Sequence, residues 1–255
     1  LSQIVEVMAN NLLKGKRGII FGALNSQSIA WHVAEKAHEQ GAQFVLTNAP
    51  IAMRMGEING LAEKTNSKIV PADATSVEEL THLFTESQQI LGGKIDFVLH
   101  SIGMSVNIRK NIPYPSLNYD YYAKGVDVSA MSLHKMLAVA KKLDAINEGG
   151  SVVALTYMAA QRTYPFYTDM ADIKAMLESI ARSFGYHYGV DKKVRINTVS
   201  QSPTRTTAGS GIKGFDNFYD FADKISPLGN ADAESCADYC ITLFSDLTKM
   251  FTMKN

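Results

Sequence analysis

Tyr167 and Lys174 stand seven residues apart in the segment 156–174. In an α-helix that spacing is two turns, so both side chains would share one face. A phenol with an ordinary pKa of about 10 donates its proton more readily when an ammonium lies beside it. Such a pair can also stabilise an oxyanion as charge develops on it. The lysine could in addition bond both hydroxyls of a cofactor ribose and so fix a nicotinamide for hydride transfer. Tyr157, ten residues before Tyr167, falls where a strand pattern ends and can face the same cavity. Tyrosine and lysine at helical spacing are common on half-buried helices. The weight of the pair therefore rests on its position in the chain.

That position carries signals for a dinucleotide. The first strand pattern runs into Gly22, followed by Ser28 and Ile29 at the start of a helix pattern. A helix N-terminus after a strand offers free N–H groups to a pyrophosphate, Gly22 permits close backbone approach, and Ser28 can donate its hydroxyl or cap the helix. The G-x-G-x-x-G spacing is absent, so this turn alone is a weak signal. Other strand patterns end in Asp73-Ala74, in Ser101-Ile102-Gly103, and in Pro203-Thr204-Arg205-Thr206. Ligands of open α/β sheets bind outside these carboxyl ends. There an Asp can accept from an adenine amino group, a glycine can let the chain pass a ribose, and a Pro-x-x-Thr turn can serve a carboxamide or phosphate. After the second strand the chain reads Thr47-Asn48-Ala49-Pro50, with neither the usual acid nor a basic pair, and Arg54 comes later. A 2′-phosphate would want adjacent positive charge. The balance favours NADH and leaves NADPH open.

Short β-rich runs alternate with helical patterns, which predicts an α/β fold: a doubly wound parallel sheet of the Rossmann type. Strands are expected at 17–21, 43–47, 68–71, 95–100, 150–156 and 194–200. Helices are expected at 28–40, 53–65, from Ser76 onward, and at 122–142, 167–188, 215–224 and 233–245. Ser76-Val-Glu-Glu79 has the form of a capping box. The stretch 201–214 is polar and rich in Gly and Thr, as suits a mobile loop. No repeat or linker divides the chain. One domain is expected over 10–255, with 1–9 as an extension outside it and Met8 as the natural start.

Composition narrows the class. Of 255 residues, 46% are hydrophobic and 20% charged, enough for a sizeable core. Lys plus Arg and Asp plus Glu both number 25, so no overall basic field points to nucleic acid or an anionic membrane. Apolar runs fall far short of the roughly 20 residues a membrane span needs. Cys236 and Cys240, four apart in a helical pattern, read as small core residues, and no metal site is expected. Few cysteines and no signal peptide favour the cytoplasm.

With these residues in hand the chain resembles the enoyl-[acyl-carrier-protein] reductases of bacterial type II fatty-acid synthesis, a divergent branch of the short-chain dehydrogenase/reductases. Four motifs carry the resemblance: Gly22 with Ser28-Ile29-Ala30; His100-Ser-Ile-Gly103; Tyr157, Tyr167 and Lys174; and Arg195-Ile-Asn197 leading to Pro203, Arg205 and Thr206. Ordinary members of the wider superfamily place three residues between Tyr and Lys, have Asn-Asn-Ala-Gly in place of His-Ser-Ile-Gly, and tend to carry Asn where Asp127 stands.

The resemblance implies hydride delivery to the β-carbon of a trans-2-enoyl thioester on acyl-carrier protein. Tyr167 would stabilise the resulting enolate, Lys174 would hold the ribose, and Tyr157 would line the acyl cavity with Met104, Pro203 and Phe215. It further implies a homotetramer and a lid over about 201–224 that orders when cofactor binds. Lys213 and Arg205, near the portal, would meet the acidic carrier.

Three departures from the family pattern stand out. Gln201-Ser202 precede the proline where many relatives have Ala-Gly. Ile173 is bulky for its place before the lysine. The sequence given ends at Asn255, before the seventh strand and Asp-Gly-Gly segment of the family, so an edge strand is expected to be missing. Two rival readings remain: a carbonyl reductase of the same superfamily, and a non-catalytic dinucleotide-binding protein.

Overall fold

The computed structural model describes residues 10–206, 209 and 212–255. The extension at 1–9 and part of the 201–214 loop lie outside the described residues.

Six parallel strands form one sheet: β1 (Arg17–Phe21), β2 (Gln43–Thr47), β3 (Lys68–Ile69), β4 (Ile95–His100), β5 (Ile146–Thr156) and β6 (Arg195–Ser200). Their order is β3-β2-β1-β4-β5-β6. The chain leaves β1 to build one half of the sheet and returns to β4 on its other side. The carboxyl ends of β1 and β4 therefore flank the crevice where such sheets bind ligands. The helices are α1 (Ile29–Glu39), α2 (Glu57–Lys64), α3 (Val77–Leu91), the single turn α4 (Val106–Arg109), α5 (Tyr119–Val126), α6 (Ser132–Lys142), α7 (Thr168–Lys192), α8 (Phe215–Ile225) and α9 (Ala233–Phe244).

Strand residues alternate between two apolar layers, because successive side chains of a strand point to opposite faces. Ile19, Phe21, Val98, Val152 and Ala154 pack with α3, α6 and α7 through Leu83, Leu133 and Leu177. Ile20, Phe97, Leu99, Val153 and Leu155 pack with α1, α2 and α9 through Val33, Leu61 and Ile241. Cys236 and Cys240 are buried and unbridged in the second layer, as their spacing predicted.

The structure departs from the sequence expectations in places. The region expected as one helix over 53–65 is a 3-10 turn (Ala52–Met55) and α2, separated by Gly56 at φ 73°. Ser76 caps α3 by accepting from the Glu79 backbone N–H at 3.2 Å. The second arm of a capping box is redirected: the Glu79 carboxylate accepts from the Asp73 backbone N–H at 2.7 Å, tightening the turn after β3. The long central helix begins at α5 and passes through a π turn (Asp127–Met131) before α6. At the sheet edge, Met253 N–H donates to the Ile196 carbonyl and Thr198 N–H to the Lys254 carbonyl, both at 2.8 Å. Residues 253 and 254 thus bond along the open side of β6 without forming a seventh strand, in the place of the edge strand expected to be missing.

Candidate active site

The predicted site residues gather at the carboxyl ends of the strands. Gly22 follows β1 at φ 95°, and a Cβ there would sit 1.9 Å from the Ser101 carbonyl oxygen. The βα1 turn and the turn after β4 are therefore pressed together, and only glycine fits. Ser28 does not cap α1. Its Oγ accepts instead from the backbone N–H of Leu24 (3.1 Å) and Asn25 (3.2 Å), shaping the loop between β1 and α1. Ile29 packs partly buried against the α1 layer. Asp73 Oδ1 accepts from the Thr75 backbone N–H (2.9 Å) and hydroxyl (2.8 Å), while Ala74 is buried. Asn48 ties the β2 end to the β1 end by donating to the Ala23 carbonyl at 3.0 Å.

On the other side of the crevice Ile102 packs against the α7 layer, and a Cβ at Gly103 would lie 3.8 Å from the Lys174 ammonium. Lys174 is buried and donates to the Leu155 carbonyl at 2.7 Å. Burial pulls its pKa down to about 8, opposed by the nearby Glu178 carboxylate. The same ammonium, after burial itself, depresses His100, which drops to about 3 and is held neutral. His100 Nε2 meets Ser132 Oγ at 2.8 Å, and Ser132 donates to the Val128 carbonyl in the π turn at 2.7 Å. Ser132 thus accepts from His100, which leaves the buried Nδ1 as an acceptor with no hydrogen-bond partner among the described residues.

The two tyrosines meet. Tyr157 and Tyr167 rings lie 4.7 Å apart at 46°. Burial raises both phenols above their ordinary range, Tyr167 and Tyr164 adding to the effect on Tyr157, and Tyr164 adding to it on Tyr167. Both are therefore protonated at neutral pH and available as donors. The sequence argument for a shared helical face does not hold, however. Tyr167 closes a 3-10 turn (Pro165–Tyr167), and Thr168 at φ 40°, ψ −129° separates it from the regular turns of α7. No hydrogen bond joins Tyr167 to Lys174 among the described residues. The phenol is tuned by burial and by tyrosine neighbours, and the ammonium is not among the causes.

Two aromatic residues that sequence reasoning missed complete this wall. Tyr164 stacks on Phe218 of α8 at 4.3 Å, and Phe218 also contacts Tyr157 at 6.4 Å. The signal was present in the density of Tyr157, Tyr164, Phe166 and Tyr167, but nothing local shows that α8 folds back onto it. Phe215, expected to line the substrate cavity, lines a cavity of about 410 Å³ with Arg205, Ile212, Gly214, Asp216 and Asn217. Arg205 donates to Asp216 at 2.6 Å and lies 4.5 Å over the Tyr219 ring.

Pro203 is buried, Thr204 accepts from Gln201 at 2.8 Å, and Thr206 Oγ1 accepts from the Gly209 N–H at 3.0 Å. Met104 is clamped by Ser129, which accepts from its N–H (2.8 Å) and donates to its carbonyl (3.1 Å). Ile173 finds its space because residue 125 is glycine: a Cβ there would stand 2.9 Å from the isoleucine Cδ1. No cluster of His, Cys, Asp and Glu suited to a metal ion occurs among the described residues.

The chain matches the family described as "Enoyl-(Acyl carrier protein) reductase" over residues 22–255. It is 32% identical over 247 residues to "Enoyl-[acyl-carrier-protein] reductase [NADH] 1" of Rhizobium meliloti (strain 1021), covering 96% of this chain and 89% of that protein. It is equally identical over 247 residues to the FabI enoyl reductase [NADH] of Rickettsia bellii (strain RML369-C), covering 96% and 92%. Among solved structures it resembles the FabI–NADH complex from Alistipes finegoldii, with 63% identity, a TM-score of 0.95, and coverage of 96% of this chain and 87% of that one. The crevice between the carboxyl ends of β1 and β4, the buried Lys174 beside Gly103 and the Tyr157–Tyr167 pair thus coincide with near full-length similarity, and the chain belongs to the enoyl-(acyl carrier protein) reductase family.

Proposed function

We propose that Tyr157, Tyr167 and Lys174 form the site at which this chain reduces the carbon–carbon double bond of a trans-2-enoyl thioester carried on acyl-carrier protein. The enzyme is an NADH-dependent reductase of fatty-acid synthesis. NADH, when bound, supplies the hydride. The fit of the chain to that cofactor rests on the Gly22–Ser101 contact, which brings the two turns of the crevice together where only glycine fits, and on the Lys174 ammonium beside Gly103.

In this reading Gly22, Ser28, Ile29, Ser101, Ile102 and Gly103 hold the pyrophosphate and ribose, Asp73 and Ala74 the adenine, and Pro203, Thr204 and Thr206 the carboxamide end. Lys174 donates to the nicotinamide ribose. Tyr167 donates a hydrogen bond to the thioester oxygen as negative charge grows there, which is where a fixed donor contributes most. Tyr157 and Met104 line the acyl cavity, and Phe215 lines its portal. The observation that carries the reading is the protonated Tyr157–Tyr167 pair at the carboxyl end of β5, beside the lysine-marked crevice.

The finer points are also proposals. Segment 201–224 acts as a lid, Arg205 and Lys213 meet the acidic carrier, and the chain assembles as a homotetramer in the cytoplasm. No helix among the described residues is long and apolar enough to cross a membrane. The test is loss of reduced-nicotinamide absorbance on adding crotonyl-coenzyme A, with NADH and NADPH compared. Turnover of ketones with none of crotonyl-coenzyme A would favour a carbonyl reductase, and nucleotide binding without turnover a non-catalytic role.

A further inference from the structure

We propose that Asp169 is a positioning residue for this reaction, a buried carboxylate that clamps the backbone behind Tyr167 to the segment 105–118. The inference rests on the reading of Tyr167 as the donor to the thioester oxygen.

Thr168 directly follows Tyr167 and holds φ 40°. A β-branched residue in that region is strained and persists only where its surroundings fix it. Thr168 is buried, and its hydroxyl donates to Asp169 Oδ1 at 3.0 Å. The same oxygen accepts from the Ser105 hydroxyl at 2.7 Å. Ser105 itself caps α4 by accepting from the Ile108 N–H, so its proton is directed at the carboxylate. Asp169 Oδ2 accepts from the Asn107 side-chain amide at 2.8 Å. Asn107 in turn accepts from the Asn118 N–H (3.2 Å) and donates to the Asn118 carbonyl (3.3 Å), closing the loop.

Asp169 and Asn107 are completely buried, and Ser105 and Thr168 nearly so. None of the ion pairs among the described residues involves Asp169. All three side chains that meet it are neutral donors. A desolvated carboxylate makes strong hydrogen bonds to such donors, and the two hydroxyls and one Asn107 N–H would lose that acceptor without it. The clamp therefore fixes two things at once: the strained step that aims Tyr167, and the chain immediately after Met104. Helix α5 closes over it, with the position of a Gly125 Cβ 3.8 Å from Asp169 Oδ2 and 3.4 Å from the Met104 carbonyl.

Asp169→Asn turns one acceptor into a donor aimed at other donors. With crotonyl-coenzyme A its kcat should fall about 100-fold, the cost of misplacing a reacting group by an ångström, while the NADH Kd stays within about twofold. The double variant Asp169→Asn/Asn107→Asp restores the match of donor to acceptor between residues 107 and 169, at the cost of the long bond from residue 107 to the Asn118 carbonyl, and should recover roughly tenfold of that loss, the value of one regained hydrogen bond. Ser105→Ala, a milder change that keeps the carboxylate, should cost about tenfold in kcat on the same scale.

An unchanged kcat in either single variant, or a folded double variant without recovery, overturns the proposal. Hydrogen exchange supplies a readout independent of turnover: Asp169→Asn, or Ser105→Ala should the former not fold, must accelerate exchange in 105–118 and 164–170 together and leave β4 and β5 unchanged. Acceleration in only one of those segments also overturns it. A wild-type chain that ignores enoyl thioesters but shows the paired exchange response would refute the functional reading and retain the clamp.

Discussion

The Lys174 ammonium donates to the Leu155 carbonyl at 2.7 Å, so the cation of the site is held by the backbone of β5, with the Glu178 carboxylate favouring its charged form. Its pKa, lowered by burial from 10.5 to about 8, sets a pH window. Below pH 8 the folded and unfolded states are both protonated, and burial of the charge lowers stability by a constant amount. Between pH 8 and 10.5 the folded state releases the proton first, so stability from this group rises with pH. The difference in unfolding free energy between Lys174→Met and the wild type should therefore shift in favour of the wild type across that interval, as read from denaturant curves. A flat difference would contradict the assignment. Turnover that needs the ammonium should decline as pH rises through about 8.

Both phenols at the site are pushed up and remain protonated, which casts Tyr167 as a donor and not as a base. Tyr167→Phe should lower kcat by about 100- to 1000-fold, the scale for losing one oxyanion donor, with NADH affinity retained. Lys174→Ala should weaken NADH binding as well. Stopped-flow turnover and fluorescence titration separate the two. Identical losses in binding alone from both variants would remove the proposed division of labour.

Helix α8 buries none of its residues, and it meets the site through Phe218 on Tyr164 and Tyr157. Phe221 and Leu228 are 59% and 98% exposed. Phe218→Ala should leave the melting temperature within about two degrees, since little core is lost, yet raise KM for enoyl thioester and speed proteolytic cleavage within 212–225. A large drop in melting temperature would mean that the helix belongs to the core after all.

Gly22→Ala places a methyl 1.9 Å from the Ser101 carbonyl oxygen at φ 95°. Neither atom is the end of a flexible side chain, so the two turns must separate. NADH binding should be lost before the fold is, and titration against a folded variant by circular dichroism checks it. Normal affinity would show that the crevice does not depend on this contact.

Much of this was legible in the chain. The short β-rich runs at 17–21 and 95–100, and the Ser76 cap, are elements that the structure reproduces closely. The strand-end residues gather because a parallel sheet brings every carboxyl end to one side. What escaped was set by backbone steps and long-range contacts. The seven-residue spacing of Tyr167 and Lys174 reads as two turns, yet Thr168 interrupts them. Ser28 has the type and place of an N-cap but turns its oxygen back into the loop. Phe218 sits 54 positions or more from its aromatic partners Tyr164 and Tyr157 in sequence, too far for any periodicity to reveal.

The π turn at Asp127–Met131 inserts the equivalent of one residue into the long helix, and each residue of an α-helix advances the face by about 100°. Deleting a single residue there would give a smoother helix and a worse protein. Everything after it would rotate: Ser132 would swing from His100, Met136 and Leu137 would leave their layer, and Lys135 would lose its bonds to Asp127 and the Thr75 carbonyl. The irregular turn acts as a phase correction, allowing one rod to present its first half to α4 and the start of α7 and its second half to the core.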